Sequence, residues 1–69
     1  MATRRRVSDL GMLLALNHLY GVEALRILVE NDIYGDKLQQ LSDESDGNPV
    51  RAFERLQEIG REANLYQGA

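Results

Sequence analysis

Residues 10–29 read LGMLLALNHLYGVEALRILV, and this stretch decides the fold. Its first half carries Leu10, Met12, Leu13, Leu14, Ala15, Leu16 and Leu19. Residues 12–16 are apolar on every side of a helix, a pattern that no solvent-facing helix tolerates. One face must pack on the rest of the chain, and the other needs a different cover. Beyond Tyr20, Val22, Ala24, Leu25, Ile27, Leu28 and Val29 keep the helical period, broken by Glu23 and Arg26. Gly21 admits two readings: a left-handed cap that ends the helix, or an interior glycine at a cost of about 1 kcal/mol. The expectation is a helix starting near Ser8 or Asp9 and persisting to about Glu30, bent or interrupted near Gly21.

Working outward, the remaining signals are also helical. Asn31-Asp32 reads as a stop and a new cap, and Tyr34-Gly35-Asp36 as a turn. A short helix from Lys37 to about Glu44 is expected to bury Tyr34, Leu38 and Leu41. Asp43 to Gly47 reads as a loop. Asn48-Pro49 is the sharpest local signal, with Asn as N-cap and Pro at the first helical position, where its missing N–H is not needed. The last helix should run to about Tyr66, with Ala52, Leu56, Ile59, Ala63 and Tyr66 in steps of four and three. β-Branched residues are scattered and no alternating run is sustained. The fold class is therefore all-α: three or four short helices in one compact domain over residues 8–69, behind a basic tip over residues 1–7.

The chain has 69 residues, one His and no Cys, so neither a disulfide framework nor a Cys/His metal centre is available. Domains below about 70–80 residues that lack such staples tend to need a partner. The excess of apolar faces between Leu10 and Val29 points to a helix-mediated homodimer, since two-fold self-association is the commonest cover. The expected interface, with a second copy or another protein, comprises Leu10, Leu13, Leu14, Leu16, Leu19, Tyr20, Leu25 and Leu28.

A net charge of −3 hides a strong asymmetry. Arg4, Arg5 and Arg6 stand together, so residues 7–69 hold 5 basic against 11 acidic groups. Within residues 30–46, Glu30, Asp32, Asp36, Asp43, Glu44 and Asp46 face Lys37 alone. The tip (Arg4, Arg5, Arg6) and the acids Asp43, Glu44 and Asp46 are candidate electrostatic contacts with a partner. No apolar run approaches the ~18–20 residues that a bilayer requires, and the stretch behind the arginines lacks a small-residue cleavage site. The location expected is cytoplasmic, without a membrane.

Chemistry is harder to place. General acid–base or nucleophilic catalysis needs a titrating group beside a nucleophile, and His18 is the sole imidazole, on an otherwise apolar helix. Thr3, Ser8, Ser42 and Ser45 lie near predicted helix ends or in loops. A calcium loop counted from Asp36 fails at its third and fifth positions, Leu38 and Gln40. No Gly-x-x-x-x-Gly-Lys phosphate cradle is present. A chain of this depth is not expected to enclose a small-molecule pocket. The expectation is no enzyme, no catalytic residue, no cofactor and no metal.

Asp46-Gly47-Asn48-Pro49-Val50-Arg51-Ala52-Phe53-Glu54-Arg55-Leu56 resembles the opening of the Fis-type helix-turn-helix, with Gly-Asn ahead of an Arg-Ala pair and a Leu. Ile59-Gly60-Arg61 and Leu65-Tyr66 are similar in type to that family's turn and recognition helix. The resemblance covers the C-terminal third and departs in spacing, with two extra residues after Leu56. It implies a small dimeric DNA-binding transcriptional regulator contacting DNA through Arg51, Arg55 and Arg61. Capping by Asn48-Pro49 accounts for the same letters without DNA, and Glu58 and Glu62 would repel phosphate.

Of the two classes, the favoured one is a small regulatory protein that binds and inhibits or modulates a larger partner. Its general profile is similar to that of compact adaptors, anti-activators and bacteriophage-encoded inhibitors. An acidic body suits a target with a basic, nucleic-acid-binding surface, such as a DNA-binding regulator.

Overall fold

The computed structural model describes residues 7–67, and the side chains of residues 7–64. Four helices follow one another: α1 (Asp9–Tyr20), α2 (Val22–Glu30), α3 (Asp36–Glu44) and α4 (Pro49–Gln67). Among the described residues there is no strand.

Local chemistry sets each boundary. Ser8 caps α1, its Oγ accepting from the Gly11 N–H at 3.1 Å. Gly21 then divides the apolar stretch into two helices. With φ at +65° it adopts the left-handed region that glycine enters without penalty, and its N–H closes α1 onto the Asn17 carbonyl at 2.9 Å. The interruption expected near Gly21 is thus a complete break. Because α2 starts in a new phase, the two halves of residues 10–29 bury independent faces.

Two helix ends share one device that the sequence reading did not foresee. After α2, Asp32 is left-handed (φ +55°), its N–H bonds the Val29 carbonyl at 3.2 Å, and the next N–H, of Ile33, bonds the Leu28 carbonyl at 2.8 Å. After α3, Asp46 (φ +54°) and Gly47 repeat the pattern onto Asp43 and Ser42 at 3.2 and 2.8 Å. Both are Schellman ends with Asp in the place glycine usually takes. The first corrects the expected burial of Tyr34. Ile33, the residue after the left-handed turn, enters the core beside Leu28, and Tyr34 is left 64% exposed with its hydroxyl 3.4 Å from Asp32 Oδ1. Replacing Asp32 tests the geometry. Asp32→Gly should raise stability by about 0.5 kcal/mol, and Asp32→Val should lower it by about 1 kcal/mol, because a branched Cβ is most penalised there. Thermal midpoints ordered Gly, Asp, Val from highest to lowest would confirm this, and a Val variant equal to wild type would refute it.

At α4, Asn48 Oδ1 accepts from the Val50 N–H at 3.0 Å, and the Asn48 carbonyl takes the Ala52 N–H at 3.0 Å. The Asn-Pro start is realised as expected. The helix then runs unbroken through Gln57 and Glu58.

Helix α1 lies against the other three, and α4 closes against both α2 and α3. The core draws Met12 and Leu16 from α1, Ala24 and Leu28 from α2, Leu38 and Leu41 from α3, and Ala52, Phe53 and Leu56 from α4. Tyr20 stacks on Phe53 with ring centroids 3.8 Å apart and planes 8° from parallel.

Val7 belongs to this body rather than to a separate tip. Its carbonyl accepts from Gln39 Nε2 at 3.0 Å and from Ser42 Oγ at 2.8 Å, while Gln39 Oε1 accepts from the Asp9 N–H at 2.9 Å. One amide side chain on α3 thereby holds both backbone polarities of the segment entering α1. Buried Ser42 is satisfied in the same way, and no buried side-chain polar atom among the described residues lacks a partner.

Candidate interaction surface

The eight residues expected at the apolar interface divide by helix phase. Leu16 and Leu28 are 0% and 3% exposed and lie in the chain's own core, so neither reaches a partner in this fold. Leu13, Tyr20 and Leu25 are half-buried against that core. Leu10, Leu14 and Leu19 are 61%, 60% and 53% exposed. The physical reason is the 3.6-residue period. Met12 and Leu16 point inward one turn apart, which turns Leu10 and Leu14 to the opposite side of α1.

On α2, two exposed residues were not anticipated. Val22 and Val29 are each 71% exposed, seven residues apart on α2, with exposed Arg26 between them on the same face. The signal was available, because Arg26 marks the solvent side of any helix that begins after Gly21. Read as a continuation of α1, the segment hides that phase.

The electrostatic candidates lie elsewhere. Asp43 and Glu44 end α3, and Asp46 follows in the turn; all three are exposed. Gln39 Nε2 donates to Asp43 Oδ1 and Gln40 Nε2 to Glu44 Oε2, each at 3.1 Å, while Arg51 Nη1 stands 3.9 Å from Asp46 Oδ2. These contacts are local in sequence. Arg4, Arg5 and Arg6 lie outside the described residues. Arg51, Arg55 and Arg61 are exposed on α4, where Arg55 pairs with Glu58 at 3.2 Å.

Helix α4 also walls two grooves. One, of about 490 Å³, runs between it and the end of α2, lined by Ile27, Glu30, Asn31, Gln57, Gly60 and Arg61 among others. The other, about 350 Å³, opens towards α3 beside Ile33, Lys37, Leu41, Glu44, Arg55 and Ile59. Both are open furrows rather than enclosed pockets. They arise because α2 and α3 both rest on α4. The walls of the larger groove mix three amides (Asn31, Gln57 and Asn64) with Ile27, Gly60 and Ala63, one carboxylate and one guanidinium. His18 lines neither groove and is exposed on α1. Among the described residues no three His, Asp or Glu side chains group so as to hold a metal ion, and no helix is long and apolar enough to cross a membrane.

Compared with family models, curated proteins and solved structures, the chain matches none of them.

Proposed function

We propose that this protein is a small non-enzymatic regulator acting by protein–protein contact, occupying a surface of a larger protein and so inhibiting or modulating it. The observation that carries this reading is the apolar surface left outside a completed core. Leu10, Leu14, Leu19, Val22 and Val29 are all more than half exposed. Each Å² of apolar area left in water forgoes about 25 cal/mol, and such surface marks contact sites. The acidic end of α3 adds a second recognition element. Asp43, Glu44 and Asp46 complement a basic surface, as on a DNA-binding regulator, and steer association in a salt-dependent way.

The test is capture by the immobilised chain from a lysate of its native host. Wild type should retain a protein that Leu10→Gln/Leu14→Gln retains at least about tenfold less, the equivalent of 1.4 kcal/mol. Retention unchanged by that variant, or none above bare matrix, contradicts the reading. Asp43→Asn/Glu44→Gln/Asp46→Asn, which keeps local hydrogen bonding, decides the acidic element: equal retention removes it.

The competing reading, a small DNA-binding regulator, rests on exposed Arg51, Arg55 and Arg61. Glu54, Glu58 and Glu62 place as many negative charges on the same helix and oppose phosphate binding. Duplex DNA should show no retardation at micromolar protein in low salt. A retarded band lost on changing the three arginines to Ala would reverse the assignment.

A further inference from the structure

The outer side of α1 has a property that the other faces lack. From Leu10 to Val22 the chain contains no Asp, Glu, Lys or Arg, thirteen consecutive residues in a protein that is 28% charged. On the exposed side of that segment Leu10, Leu14 and Asn17 follow in steps of four and three, with His18 flanking them. This is the spacing at which one helix lays a seam along another. The other helices carry charge along their length: α2 holds Glu23, Arg26 and Glu30, α3 begins at Asp36 and ends at Asp43-Glu44, and α4 alternates Arg with Glu. Residues 7–69 carry a net −6 with the excess concentrated over residues 30–46, so two copies that approach through α3 oppose like charges. Through α1 they meet without opposing like charges.

We infer that the occupant of this face is a second copy of the chain, docked α1 against α1 in antiparallel fashion about a two-fold axis passing beside Leu14. The inference rests on the proposed protein-contact role and names the first partner. Antiparallel pairing opposes the two helix dipoles and holds the two Asp9 carboxylates at opposite ends. It sets Leu14 near its own symmetry mate and Leu10 near the mate's Asn17. At 1.5 Å per residue α1 is about 18 Å long, so the buried area falls at the small end of specific interfaces. The dimer is therefore reversible, with a dissociation constant on the order of micromolar. Symmetry also presents the acidic end of α3 twice, which gives a two-fold target two matching contacts.

The absence of cysteine makes the geometry directly testable. In the full chain, Leu14→Cys under mild oxidation should give a disulfide-linked dimer. Leu10→Cys should not, because its two copies lie about 10 Å apart along the axis, beyond the ~7 Å Cα separation that a disulfide spans. Both side chains are exposed, so neither variant threatens the fold. Sedimentation equilibrium should show wild type passing from monomer to dimer between about 1 and 100 μM, and Leu10→Gln/Leu14→Gln staying monomeric. A monomeric wild type throughout overturns the inference, as does cross-linking at position 10 as fast as at 14. If the purified chain is monomeric yet the same double variant loses a captured protein, the face serves another partner: this inference fails while the contact role stands.

Discussion

Leu56→Ala should lower the unfolding free energy by about 2–5 kcal/mol, the range for emptying a buried leucine site. Leu56 is fully buried where α4 closes on α2 and α3, with Met12 and Leu16 the other large apolar side chains fully removed from water. At about 0.05–0.15 kcal/mol per residue, a chain of this length has a few to ten kcal/mol in total. The substitution therefore removes a large fraction of it. With a urea m-value near 1–2 kcal/mol/M, the midpoint should fall by more than about 1 M, and the variant should show partial unfolding without denaturant. Leu14→Ala is the matched control. It deletes the same atoms from a side chain that is 60% exposed, and in dilute protein it should shift stability by less than about 0.5 kcal/mol. Equal losses at the two positions would show that the assignment of inner and outer faces on α1 and α4 is wrong.

Gly47→Ala should cost about 2–4 kcal/mol for two separable reasons. Gly47 has φ at +69°, where a Cβ costs about 1–2 kcal/mol. A Cβ there would also overlap the Val7 Cγ2 methyl and lie 3.1 Å from Val7 Cβ, and crowding of this kind costs about 1–3 kcal/mol. The chain has little room to yield. The Gly47 N–H is bonded to the Ser42 carbonyl at 2.8 Å, and Val7 is held by Gln39 and Ser42. The two causes separate in a double-mutant cycle with Val7→Ala, which removes the overlapping methyl and leaves the backbone unchanged. Val7→Ala should restore about half the loss in the Gly47→Ala background and destabilise the wild type. Additive effects would mean that Val7 does not pack on this turn.

These predictions mark where the sequence was readable. Ser8, Asn48 and Pro49 were legible because a cap is local: the side chain that accepts the hydrogen bond sits two or three residues from the N–H it serves. The start of α4 followed from the same logic, whereas α3 begins after Gly35 without a side-chain cap. The phase of α1 was not legible, since a run apolar on all sides carries no information about which side turns inward. Leu10 and Leu14 therefore looked equivalent to Leu16. Gly21 was ambiguous for an energetic reason, because an interior glycine and a terminal one differ by only about 1 kcal/mol and packing decides between them. Asp32 and Asp46 in left-handed turns imitate ordinary polar loop residues. The tie between Val7 and Gln39 spans 32 residues, and no local pattern announces it.

The central claim is that α1 completes the core with one side and meets a second copy of the chain with the other. The concentration dependence of the urea midpoint tests it most directly, because association that involves only folded chains raises apparent stability by mass action. The wild-type midpoint should rise from dilute to concentrated protein. The Leu10→Gln/Leu14→Gln midpoint should stay flat, at the value that wild type reaches on dilution. A wild-type midpoint independent of concentration, or a double variant less stable than wild type even at the dilute limit, would contradict the account.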